Sequence, residues 1–109
     1  MIDKVVYVCH EFGGKKENAE KVARLIELFV NVYPNICFMS PIHTFGYIYG
    51  SVDYDKGMWY CLTLLDMCDE MWTFGSKSMS RGCMIEKRYC ERYKIPIIER
   101  GDYDERWNR

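Results

Sequence analysis

The chain has 109 residues, 49% hydrophobic and 28% charged, with a formal net charge of −1. That length makes one domain, residues 1–109, and is too short for two. The balanced charge excludes a surface built to grip a nucleic acid polymer, and no run approaches the roughly 20 apolar residues of a membrane span. The N-terminus, MIDKVVYV, lacks the basic-then-apolar layout of a secretory signal. Six cysteines (Cys9, Cys37, Cys61, Cys68, Cys83 and Cys90) form no CxxC pair, and most sit inside apolar runs. They read as free thiols of a reducing cytoplasm rather than a disulfide framework.

The elements alternate along the chain. Val5, Val6, Tyr7, Val8 and Cys9 form a β-rich run ended by His10 and the Gly13-Gly14 turn. Helical spacing follows, with Ala19, Val22, Ala23, Ile26, Phe29, Val30 and Tyr33 on one face and Pro34 as the stop. Ile36 to Met39 read as a second strand. Ser40 to Asp55, rich in Pro, Gly and aromatics, reads as a long loop, of the length that is usually functional. A second helix is predicted from about Asp55 to Cys68, with Met58, Tyr60, Cys61, Leu62, Leu64, Leu65, Met67 and Cys68 inward. Met71 to Phe74 make a third strand, Gly75 to Arg81 a loop, and Gly82 to Tyr93 a third helix. Ile95-Pro96-Ile97-Ile98 is the last strand, its proline favouring an edge or a strand start. The charged tail, Glu99 to Arg109, has Tyr103 and Trp107 as its packing residues.

This alternation predicts an α/β fold, a small doubly wound, Rossmann-like or flavodoxin-like sheet. About four to five mostly parallel strands would carry helices on both faces. Right-handed crossovers gather the strand-to-helix loops at the carboxyl edge of the sheet. A ligand site is therefore expected from residues 10–16, 40–55 and 75–82.

Glu86 breaks the pattern most clearly. At 100° per residue it falls within the apolar arc of Cys83, Ile85, Tyr89, Cys90 and Tyr93. A carboxylate there costs several kcal/mol unless paired or hydrogen-bonded. It is neutralised by a buried cation, or carried into solvent by a helix end that peels away, or held for chemistry in the first turn of its helix, where the helix N-terminus favours the ionised, nucleophilic form. Ser80 suits an N-cap, and Ser80, Arg81 and Gly82 together offer a hydroxyl, a guanidinium and free backbone N–H groups to a phosphate or sugar. Gly13-Gly14 is a glycine turn of the kind that cradles nucleotides, and His10 is either a ligand contact or bonded to backbone. His43 has no second ligand at metal spacing, so neither a metal nor a cofactor is expected. Trp59 shares the outer side of the second helix with Thr63 and Asp66, the place of an interface residue or a ligand wall.

Ser80-Arg81-Gly82-Cys83-Met84-Ile85-Glu86 resembles the S-x-G-x-x-x-E segment of the nucleoside 2-deoxyribosyltransferase-like superfamily. Residues Val6 to Gly14 resemble that superfamily's glycine loop. Tyr54, Gly57, Met58, Cys61, Leu65 to Asp69 and Phe74-Gly75 look like its small phage and bacterial DUF4406 group. The resemblance spans about residues 4–98. It implies that Glu86 attacks C1′ of a nucleoside or nucleotide and forms a covalent glycosyl intermediate, as in retaining glycosidases. It implies ligand contacts from Tyr7, His10, Phe12, Gly13 and Gly14, from His43 and Phe45, and from Ser80, Arg81 and Gly82. It also implies a homodimer whose contact includes Trp59, Tyr47 and Tyr49. Where those enzymes carry an acidic residue near the start of the middle helix, counting back from Asp69 finds Cys61.

Two functions follow as expectations. One is an N-glycosidic enzyme cleaving or transferring a (deoxy)ribosyl group through Glu86. The other is a non-catalytic sponge or sensor for a nucleotide or ADP-ribose-type signal, for example in phage counter-defence. Both place the protein in the cytoplasm with a small-molecule ligand and no membrane partner.

Overall fold

The computed structural model describes residues 1–75 and 80–101. Tyr103 and Trp107, the expected packing residues of the tail, lie outside them. The elements are β1 (Lys4–Cys9), α1 (Lys16–Val32), β2 (Ile36–Met39), α2 (Pro41–Phe45), a 3₁₀ turn (Gly46–Ile48), α3 (Tyr54–Asp66), β3 (Glu70–Phe74), α4 (Arg81–Tyr93) and β4 (Ile97–Gly101). All four strands pair in parallel, in the order β2-β1-β3-β4. The chain winds outward from β1 to β2, then crosses back over β1 to β3 and β4. This is the doubly wound, Rossmann-like topology the alternation predicts, and it puts the topological switch between β1 and β3.

Strand β1 feeds both faces of the sheet. Side chains alternate along a strand, so Val6 and Val8 point to one side and Tyr7 and Cys9 to the other; all four are at most 1% exposed. On the first side they meet Val22, Leu25 and Phe29 of α1, with Trp72 and Phe74 of β3. On the second side Tyr7 and Cys9 join Leu64 and Leu65 of α3, Met71 of β3, and Cys83 and Cys90 of α4. Helices on both faces follow from this alternation.

Three details differ from the expectation. The segment 40–55 is not a bare loop: Ser40 accepts the His43 backbone N–H and Pro41 occupies the first helical position, so a short helix starts there. The last strand begins at Ile97, not Ile95, and runs to Gly101 at the sheet edge. Pro96 immediately precedes it, and its carbonyl accepts the Met71 N–H. Finally, Val30, Tyr60, Met67 and Tyr93 are exposed, because the buried stripes are narrower than the apolar patterns. In α1 the stripe is Asn18, Val22, Leu25 and Phe29. No helix among the described residues is long and apolar enough to cross a membrane.

Candidate functional site

The carboxyl ends of β1, β2 and β3 open into a cleft of about 530 Å³. That is the size range of small-molecule sites, at the position where open α/β sheets bind ligands. One wall is the loop after β1, a second is the 41–54 segment, and the third is the N-terminal half of α4.

Glu86 lines the floor and is 6% exposed. It lies in the second turn of α4, not the first; no acidic residue occupies the first turn. The Tyr7 hydroxyl donates to its Oε2, and Cys9 Sγ donates to its Oε1 at 3.4 Å. None of the ion pairs among the described residues involves it. Burial therefore dominates, pushing its pKa up to about 7, while the bonds from Tyr7 and Cys9 pull the other way. The sequence places Glu86 where a helix N-terminus favours the ionised form; burial instead brings its titration close to neutrality. Burial and the charge of Glu86 hold the Tyr7 phenol well above its ordinary range.

Thiols surround this carboxylate. Cys9 Sγ, Cys83 Sγ and a Glu86 oxygen all lie within 4.8 Å of one another. The side-chain interaction with Cys83, then burial, drives the Cys9 thiol up, and the same interaction draws the Cys83 thiol down. Cys61, on the cleft wall, is pushed up to about 11 by burial and by the charge of Glu86. At neutral pH it is a protonated thiol, far weaker as an acid than a carboxyl in that place. Asp53, also at the cleft, is committed to capping α3 through the Lys56 N–H at 2.8 Å.

Ser80 caps α4 by accepting the Cys83 N–H at 3.2 Å, as its residue type suggests. Arg81 stacks its guanidinium 4.6 Å above the Tyr54 ring, which fixes a cation at the cleft wall. Gly82 also lines the cleft, and a side chain there would meet Tyr54 Oη at 3.4 Å and Met58 Sδ at 3.6 Å. Its smallness lets α4 approach α3.

In the glycine loop, Gly13 and Gly14 both have positive φ, 61° and 72°. Only glycine adopts two such conformations in succession without strain. The Tyr49 ring lies over Gly14, where a Cβ would come within 2.6 Å of it, and it meets Phe12 edge-on at 5.1 Å. His10 lines the cleft, its Nδ1 2.7 Å from the Glu11 carbonyl. Phe45 lines the opposite wall.

Other expected positions fall elsewhere. His43 is exposed, outside the cleft lining, and its Nδ1 lies 2.8 Å from Ser40 Oγ at the start of α2. Tyr7 sits behind Glu86 and does not line the cleft, so it acts on the carboxylate. Trp59 and Tyr47 are 66% and 82% exposed, away from the lining; Tyr49 is the one member of the expected contact set that reaches it.

Sequence reasoning missed Asn18. It is buried at the cleft, and its Nδ2 donates to the Phe12 carbonyl at 2.9 Å, pinning the glycine loop to the first turn of α1. The signal was present: Asn18 begins the stripe Val22, Leu25, Phe29 and is a polar intruder on an apolar face, as Glu86 is.

Topology and cleft together define a small doubly wound α/β domain with a ligand-sized site at its switch point. The chain belongs to the family described as domain of unknown function DUF7768, which matches it over residues 4–100. No curated protein and no solved structure matches it.

Proposed function

We propose that the cleft binds a nucleoside or nucleotide with the sugar against Glu86. The observation that carries this reading is a buried carboxylate, free of any ion pair among the described residues, on the floor of a switch-point cleft. A group that is costly to bury and unneutralised by the fold is the kind that function retains. Phe12, Phe45 and Tyr49 offer apolar and aromatic surface for a base. Lys15, the uncapped start of α1 and Arg81 offer positive charge for a phosphate. The resemblance of residues 80–86 and 6–14 to the deoxyribosyltransferase-like superfamily supports the same ligand class.

In the catalytic form of this reading, the ionised Glu86 attacks C1′. The C1′–N bond breaks, its electron pair leaves with the base, and the base takes a proton from solvent water in the open cleft. Water or a second base then cleaves the glycosyl ester and restores the carboxylate. A second reading, binding without turnover, is favoured by Cys61, whose thiol at about 11 is a poor acid to protonate a leaving base.

The test is a panel of nucleosides, deoxynucleotides and ADP-ribose, with binding read by calorimetry and free base by chromatography. Base release that Glu86→Gln abolishes establishes the enzyme. Binding with intact recovery of the ligand establishes the binder. No binding across the panel removes both. The exposed Trp59 and Tyr47 support self-association, and a sedimentation profile of monomer alone at micromolar concentration would rule that out.

A further inference from the structure

We infer that Cys9, Cys83 and Glu86 form a binding site for a thiophilic divalent cation, Zn²⁺ by ligand type, with one coordination position turned to the cleft. The inference stands apart from the nucleotide reading, since it concerns the donors beneath the cleft and not its organic ligand.

Two elements of the fold bring the donors together. Cys9 is the last residue of β1, while Cys83 and Glu86 stand three apart on α4 and so share one face. Each is buried, and their ligand atoms lie within 4.8 Å of one another. A tetrahedral ion with Zn–S bonds of about 2.3 Å and Zn–O bonds of about 2.0–2.2 Å spaces its donors at roughly 3.5–3.8 Å. The Cys9–Glu86 separation is already 3.4 Å, so closing the set needs only side-chain adjustment.

The donor chemistry selects the ion. Two thiols and one carboxylate suit Zn²⁺ and other borderline-soft metals, whereas Mg²⁺ and Ca²⁺ take oxygen donors. Binding is not a redox step: the two thiols each lose a proton to solvent as two S–metal bonds form, and the carboxylate supplies the third bond. Tyr7, bonded to Glu86 Oε2, would orient the ligating carboxylate from behind.

The position of the donors leaves the ion accessible. Cys83 and Glu86 line the cleft and Cys9 does not. All three protein ligands therefore lie on the sheet and α4 side, and the fourth position faces the cavity. Three protein ligands with an open fourth is the pattern of metal sites that act on a ligand rather than merely brace a fold. An ion-bound Glu86 is unavailable to a sugar carbon, so the carboxylate serves one role at a time.

Co²⁺ reports on such a site through its thiolate-to-metal absorption. Reduced, chelator-stripped protein is expected to take up one Co²⁺ per chain with that absorption, and Zn²⁺ should bleach it. Cys9→Ala and Cys83→Ala should each lower affinity at least tenfold and halve the thiolate absorption per ion. Glu86→Gln should weaken binding while keeping the band, and Cys37→Ala should change nothing. No thiolate band in the wild type, or a band that both alanine variants leave intact, would overturn the assignment. If those variants do not fold, alkylation of the wild type decides: protection of Cys9 and Cys83 by Zn²⁺ supports the site, and protection confined to other cysteines refutes it.

Discussion

The two faces of the sheet bury different chemistry. Against α1, Phe29 lies within 6 Å, centroid to centroid, of Tyr33, Phe38, Trp72 and Phe74, and Arg100 caps the cluster 4.7 Å above the Trp72 ring. Against α3 and α4, four of the eight buried hydrophobic residues are cysteines, and the buried carboxylate lies among them. The aromatic face gains from tight ring packing and offers a ligand little chemistry. The thiol face instead buries groups that titrate, Glu86 and the thiols around it. Ring packing and titratable groups are thus divided between the sides of one sheet, with β1 shared by both.

Substitutions on either face should separate these roles. The largest expected effect is on the thiol face. If the domain turns over its ligand, Glu86→Gln should cut base release by a factor on the order of 10³ or more, with ligand affinity kept within a few-fold. Chromatography of released base and calorimetry measure the two quantities. The aromatic face should show the reverse: Phe29→Ala is expected to cost about 3–5 kcal/mol of stability. Thermal melting should then fall by more than about 10 °C, with ligand affinity of the folded protein unchanged.

Next in size is a pH effect confined to the thiol face. The carboxyl of Glu86 has a folded pKa of about 7 against an ordinary 4.5. The unfolded chain therefore releases this proton first as pH rises. The stability that depends on a protonated Glu86 is complete below about 4.5 and is lost by the time pH passes about 7. The difference is on the order of 3 kcal/mol. Denaturant titrations in chelator at pH 5 and pH 8 should show wild type losing stability that Glu86→Gln retains. Equal pH dependence of the two proteins would remove the argument. The smallest effect belongs to the loop that joins the faces. Gly14→Ala adds a Cβ at positive φ beneath Tyr49, which should cost about 1–2 kcal/mol and displace that ring. Loss of ligand affinity alongside the small fall in melting temperature would tie Tyr49 to the cleft wall.

Much of this division was legible in the sequence. The alternating runs Val5–Cys9 and Met71–Phe74 carried the strands, and the break in apolar spacing marked Glu86 as buried. What the sequence withheld depends on partners far along the chain. Tyr7 and Cys9 are 79 and 77 residues from Glu86, so neither its hydrogen bonds nor its near-neutral titration follow from α4 alone. The Cys9, Cys83, Glu86 set escaped for the same reason, because metal motifs are recognised by local spacing. Asn18 and α2 were different: their signals were local, a polar residue opening an apolar stripe and a Ser-Pro pair opening a helix, and composition of the surrounding loop masked them. His43 shows the opposite error, a chemically suggestive residue whose bond to Ser40 belongs to the helix start.

Strand β1 also limits how sequences of this fold can diverge. Val6 to Cys9 are buried without a gap, and each is claimed by a different face from its neighbour. Gaining or losing one residue within this strand would exchange the two sets, driving Tyr7 and Cys9 into the aromatic cluster and valines toward Glu86. Length variation among descendants should therefore accumulate after β2, where the chain from His43 to Asp53 is exposed or half-buried, and be purged from β1. Of all the segments, the six residues from Lys4 to Cys9 have the least freedom to drift, because a single step along them changes the architecture and the chemistry together.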